Sequence, residues 1–315
     1  MGSRVIHMGL GKTGTTSLQR KVFPMMFKKR IVDSYNPHEI FDILYQFAQT
    51  GNERVLQDLN FDKYPSLLIS CEGLVGWNPS MWLTRVKTLA KYIPPDVVVI
   101  LTLRSSEDYA RSAYQQSFNE GSVKDENIFF IDSKGYSDDF GLSGFFDIHH
   151  YSYPLLVDNY SRKFENLVVL PYENIFNLNF LNDLYIINDV DFKELKLALG
   201  TSKKYNRSLS KEGMAILGLL SVFLSSFNLK FISNMEEVMI SYRKDKKCKI
   251  SISSKFRRRF FSYFYTGSIF FGRPYALHSS SILSNANKVN NEFYQKILST
   301  DSGYLFLHQK FSTKI

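Results

Sequence analysis

Apolar positions along this chain switch between two rhythms. Short apolar, mostly β-branched runs at residues 4–8, 30–33, 67–71, 97–103 and 167–170 read as strands. The run V-V-V-I-L-T-L at 97–103 leaves almost no polar face, the pattern of a strand covered on both sides of a parallel sheet. Between these runs, residues 15–27, 37–50, 79–92, 107–119 and 151–164 read as helices. Strands alternating with helices imply right-handed crossovers, and so an α/β fold with a parallel sheet flanked by helices. Ligands of such sheets bind beyond the carboxyl ends of the strands. The glycine segment 9–14, Glu72 and Arg104 each follow a predicted strand and are expected to meet on that edge.

The rhythm breaks twice. Residues 120–144 are rich in Ser, Asp and Gly and read as a long loop on the substrate side. Beyond about residue 205 the pattern turns helical, which divides the chain into an α/β core at 1–204 and a mainly helical region at 205–315 packed on it. The apolar stretch 214–227 is shorter than the roughly 20 residues a bilayer crossing needs, so it reads as a buried helix.

The first predicted strand runs into I-H-M-G-L-G-K-T-G-T-T-S-L-Q at residues 6–19. Gly9, Gly11 and Gly14 allow backbone N–H groups to turn inward, and the following helix N-terminus adds partial positive charge. Lys12 supplies a full charge, while Thr13, Thr15, Thr16 and Ser17 supply hydroxyls. This is a cradle for a phosphate or sulfate group. Three patterns fit it. Residues 9–14 satisfy the dinucleotide pattern G-x-G-x-x-G, with Asp33 near the position of a ribose-binding acid. Gly11-Lys12-Thr13 matches the end of a nucleotide-triphosphate loop, but Ile6 stands where that loop needs its first glycine. Lys12, Gly14, Thr15, Thr16 and Leu18 match K-x-G-T-T-x-L.

The last of these resembles the 5′-phosphosulfate loop of sulfotransferases that use 3′-phosphoadenosine 5′-phosphosulfate (PAPS). Two further fragments carry the resemblance. Arg104, ending a strand, and Ser112, on the next helix, match the R-x7-S pair that grips the 3′-phosphate in that family. L-V-V-L-P-Y-E-N-I at 167–175 resembles its late strand followed by Tyr-Glu-Asp, which implies Tyr172 against the adenine. Residues 206–210, N-R-S-L-S, resemble a stretch of bacterial members. The C-terminal R-K-G-x-x-G-D-W-K loop of the steroid and phenol enzymes is missing, neither Trp77 nor Trp82 stands where those enzymes place a stacking tryptophan, and no lysine-threonine-histidine segment is present. The chain therefore resembles a bacterial, carbohydrate-type member with a P-loop-type sheet. The donor-binding residues so implied are Gly11, Lys12, Thr13, Gly14, Thr15, Thr16, Ser17, Arg104, Ser112 and Tyr172.

Sulfuryl transfer needs a cation at the leaving phosphate and a base for the acceptor hydroxyl. Lys12 is the expected cation. Glu72, just past a strand and before Gly73, is the expected base, with His149 and His150 as the alternatives. No His, Cys or carboxylate spacing suits a metal, and none is expected for this transfer. A phosphate-loop small-molecule kinase and an inactive nucleotide-binding scaffold remain the rival readings.

Composition narrows the partners. Two cysteines in 315 residues cannot make a disulfide framework, and no signal-like or membrane-spanning apolar segment stands out, so a reducing compartment is expected. With the carbohydrate-type resemblance and a lysine-, asparagine- and phenylalanine-rich composition, this implies a bacterial cytoplasmic protein. A net charge of +9 suits a polyanionic donor. Metal-finger spacing, RNA-recognition aromatic motifs and long basic helices are all missing, which argues against nucleic acid. The stretch 256–273 follows Arg257, Arg258 and Arg259 with seven Phe or Tyr residues. It reads either as core with a basic rim or as a surface for a lipid-linked or extended glycan acceptor, with peripheral membrane contact.

Overall fold

In the computed structural model the described residues are 4–11, 13–119, 129–131, 146–185, 187–200, 238–242, 248–252 and 281–308. Lys12, residues 206–210, 214–227 and 256–273, and nearly all of 120–144 lie outside them.

A six-stranded sheet organises the molecule. Its strands are β1 (Arg4–Gly9), β2 (Ser34–Tyr35), β3 (Leu67–Ser70), β4 (Val98–Leu103), β7 (Asn166–Pro171) and β10 (Leu305–His308), in the order β10-β7-β4-β1-β3-β2. The first five are mutually parallel, and β10 joins the edge antiparallel to β7. Phe130–Ile131 (β5) and Phe146–Asp147 (β6) form a separate short parallel pair, and Val238–Tyr242 (β8) pairs with Cys248–Ile252 (β9) as an antiparallel ribbon.

Strand alternation divides the core in two. Ile6, Met8, Leu67, Ile69, Val99, Leu101, Leu103, Leu167 and Val169 point to one face. There they meet apolar residues of α3 (His38–Thr50), α4 (Pro79–Leu89), α5 (Ser106–Asn119), α6 (Tyr153–Ser161) and α9 (Ser281–Leu298). Val5, Leu68, Ile100, Val168 and Leu170 point to the other face. That face is covered by the helical run after β1 and by α7 (Phe180–Leu184) and α8 (Asp189–Gly200). All these strand residues are fully buried. This explains why β4 shows no polar face in sequence.

The run after β1 is not one regular helix. Thr15–Ser17 (α1) passes into a π turn at Leu18–Val22 and then into Phe23–Lys28 (α2). It ends where Arg30 takes the left-handed conformation, φ 57°, with the Ile31 N–H returning to the Met26 carbonyl at 2.9 Å. That ending absorbs the expected strand at 30–33. Val32 drops into the core, the Asp33 N–H meets Ser66 Oγ at 3.3 Å, and pairing begins only at Ser34. The residues read as a strand had a stronger local use, the termination of a helix.

Candidate active site

The edge forms where β1, β3, β4 and β7 end. Thr13 and Thr102 fix its centre. The Thr13 hydroxyl donates to the Leu10 carbonyl at 2.6 Å and lies 2.7 Å from Thr102 Oγ1 on β4. Both threonines are fully buried, so the Thr13 hydroxyl is spent on tying the glycine loop to the sheet. A Cβ on Gly9 would sit 2.4 Å from Thr15 and 2.8 Å from Thr102, so this crossing has room only for glycine. Gly14 opens α1 at φ 76° with no side-chain cap, and Thr15 is buried while Thr16 and Ser17 are half-exposed.

The second expected fragment closes on itself. Arg104, one residue past β4, donates from Nη1 to Ser112 Oγ at 2.9 Å. The spacing of eight residues works because α5 starts at Ser106, bringing Ser112 round to the strand end. Ser105 Oγ donates to the Asp108 carboxylate at 3.0 Å, and the Tyr109 N–H reaches the Ser105 carbonyl at 2.9 Å, which fixes the first turn. The third fragment joins the other two. The Arg104 guanidinium lies 5.3 Å from the centroid of the Tyr172 ring. A Cβ on Gly14 would fall 2.5 Å from Cε2 of that ring. Gly14, Tyr172, Arg104 and Ser112 thus form one contiguous group drawn from three distant segments.

Glu72 follows β3 on the same edge and is half-exposed. Beside it lies Trp77, which the sequence reading set aside as a stacking tryptophan. The indole of Trp77 sits against two glycines: a Cβ on Gly11 would be 2.8 Å from its Cζ3, and one on Gly73 would be 2.9 Å from its Cζ2. Gly73 and Gly76 take φ 85° and 97°, folding residues 73–76 into the turn that brings the indole back over the loop. The glycines flanking Trp77 were the available signal. Asn78 then caps α4, accepting from the Ser80 N–H at 3.2 Å, and also accepts from the Asp147 N–H at 3.1 Å. The Asp147 carboxylate is fully buried. It accepts from the His149 N–H at 2.8 Å and pairs with His150 Nδ1 at 2.6 Å. His149 is exposed and His150 half-exposed.

His7, in the middle of β1, is the other polar group missed in sequence. It is fully buried, with Nδ1 at 2.7 Å from Ser70 Oγ and Nε2 without a hydrogen-bond partner. Burial pushes its pKa down to about 3, so it is a neutral core residue near neutral pH. Burial likewise pushes the Cys71 thiol up to about 12, and Cys71 is inert packing. Among the described residues, no group of three or more His, Cys, Asp or Glu gathers to hold a metal, and no helix is long and apolar enough to cross a membrane.

A glycine turn entering a helix beside a strand-end arginine, on the carboxyl edge of a parallel α/β sheet, is the architecture of phosphate- and nucleotide-binding proteins. Residues 4–137 match the family model described as the sulfotransferase domain. The match supports a sulfotransferase family for this part of the chain and sulfuryl transfer as its class of chemistry. It spans the glycine loop, Glu72, Arg104 and Ser112 and stops before Tyr172. Comparison with curated proteins and with solved structures finds no match.

Proposed function

We propose that the protein transfers a sulfuryl group from PAPS to a hydroxyl of a carbohydrate or glycolipid acceptor. The observation that carries this reading is the contiguous group Gly14–Tyr172–Arg104–Ser112. A guanidinium beside a hydroxyl and an aromatic face, next to an anion-binding loop, is what a 3′-phosphorylated adenosine requires. The glycines at 9, 11 and 14 let Thr15, Thr102, Trp77 and Tyr172 close around the loop, which holds its backbone in place at the helix N-terminus. In this reading the loop and Lys12 hold the 5′-phosphosulfate, Arg104 and Ser112 the 3′-phosphate, and Tyr172 the adenine.

PAPS supplies an activated sulfuryl group whose S–O bond to the phosphate breaks as the acceptor oxygen bonds to sulfur. Lys12 neutralises the charge that grows on the departing phosphate oxygen. Glu72, on the same edge, takes the proton from the acceptor hydroxyl. His150 is the second reading for that role, favoured by its 2.6 Å contact with the buried Asp147 carboxylate, which fixes the ring's orientation and leaves Nε2 for the acceptor. The acceptor side falls to Trp77, whose face suits a sugar ring, and by sequence to the segments 120–144 and 256–273. A bacterial cytoplasmic enzyme acting on a soluble or lipid-linked glycan precursor, with peripheral membrane contact, completes the reading.

A thermal-shift comparison tests it. Adenosine 3′,5′-bisphosphate should raise the melting temperature without metal, and more than 5′-AMP does. Stabilisation by ATP with magnesium but none by the bisphosphate would point to a kinase instead and end this reading.

A further inference from the structure

The C-terminal helix α9 reaches the donor edge through one face. Asn287, Asn290, Asn291 and Tyr294 lie at positions i, i+3, i+4 and i+7, so they share a stripe. Asn291 Oδ1 accepts from the Ser106 N–H at 2.8 Å and Asn287 Oδ1 from Ser106 Oγ at 2.6 Å, holding the start of α5 two residues from Arg104. Asn290 Oδ1 accepts from the Tyr153 N–H at 2.7 Å, and its Nδ2 donates to the Tyr151 carbonyl at 3.1 Å. The hydroxyl of Tyr294, a fully buried residue, accepts from the Tyr172 N–H at 3.1 Å and donates to the Glu173 carboxylate. Beyond α9, β10 pairs with β7, the strand that leads into Tyr172, so the helix is fixed in register with that strand.

We propose that Tyr294 is a positioning residue of the donor site, which sets the Tyr172–Glu173 turn and thereby the aromatic face presented between Gly14 and Arg104. The inference rests on the nucleotide reading above. Tyr172 follows Pro171, the last residue of the β7 pairing, and begins a short 3-10 helix, and Tyr294 holds its backbone N–H at that junction. Burial, with Glu173 adding to it, raises the Tyr294 pKa, so the phenol stays protonated and its single proton stays committed to Glu173. Arg104 approaches the same Tyr172 ring from the α5 side, which α9 also holds. The helix therefore grips both neighbours of the adenosine position.

The test is Tyr294→Phe in the full chain, with adenosine 3′,5′-bisphosphate as the probe in calorimetric titration. The ring is kept and two hydrogen bonds are lost, so bisphosphate affinity should fall about tenfold. Glu173→Gln, which retains an acceptor, should bind like the parent. Tyr304→Phe is the matched control. Its hydroxyl donates to Asp183, which lines a cavity of about 440 Å³ with Arg4, Asp96 and Asn166 at the amino ends of the strands. It should lower the melting temperature while leaving the affinity unchanged. Unchanged affinity in Tyr294→Phe alongside a melting loss like that of the control would overturn the proposal. Failure of the unaltered protein to bind the bisphosphate would instead overturn the nucleotide reading, and the inference with it.

Discussion

The glycine loop at 9–17 and the C-terminal helix α9 serve the same edge by opposite means. The loop acts through backbone: its glycines remove side chains, and Thr13 ties it to β4. Its glycines and hydroxyls all fall within nine consecutive residues. The helix acts through side chains, with a stripe of three asparagines and a tyrosine that means nothing until their partners Ser106, Tyr153 and Tyr172 are in place, up to 185 positions away. A local device can be replaced only residue by residue. A distributed one tolerates single losses, because each asparagine or tyrosine carries one or two bonds of the set.

That contrast ranks the expected effects. Lys12→Ala should be the most damaging, lowering turnover by about 10²- to 10³-fold with little change in donor affinity, since its best interaction forms as charge develops on the leaving oxygen. Single-turnover rates with PAPS would measure this. Arg104→Ala comes next, with an expected loss of about 30- to 100-fold in bisphosphate affinity from removing a charge-assisted contact. A loss from Arg104→Ala no larger than that from Tyr294→Phe would erase the distinction between a binding group and a positioning one.

Gly14→Ala should cost about 1–3 kcal/mol of stability, because φ 76° and a Cβ 2.5 Å from the Tyr172 ring are both unfavourable. Denaturant melts should show that loss, and Asn287→Ala in the C-terminal stripe should cost less. The smallest effect at neutral pH comes from His7. Its pKa is about 3 in the folded chain against 6.5 when exposed, so the unfolded chain binds the extra proton between these values. Stability should then be flat above about pH 6.5 and fall toward pH 3, by up to about 1.4 kcal/mol per pH unit. His7→Gln should flatten the slope, and an unchanged slope would refute the assignment.

The same contrast explains what could be read from the chain. The parallel sheet was legible because β4 and β7 have no polar face, and the Arg104–Ser112 contact because strand end and helix start fix its spacing. Tyr172 was expected from a strand-end fragment, and its ring lies beside Arg104 and Gly14. The 30–33 strand misled because a helix ending and a short apolar strand share composition, and only Arg30's left-handed turn separates them. Trp77 was set aside because it does not stand where the steroid and phenol enzymes place a stacking tryptophan, yet two positive-φ glycines return it to Gly11. The β10 strand and the Asn–Tyr stripe of α9 had no signal of their own, since both are defined by partners on β7 and α5.

The central claim is that three distant segments build one site for a 3′-phosphorylated adenosine. Its most direct test is calorimetric titration of adenosine 3′,5′-bisphosphate and 5′-AMP into the unaltered protein and into Arg104→Ala. The unaltered protein should prefer the bisphosphate by about the 30- to 100-fold that the Arg104 contact contributes. The variant should lose that preference while keeping its affinity for 5′-AMP. Equal affinity for the two nucleotides in the unaltered protein, or a preference that survives Arg104→Ala, would contradict the account.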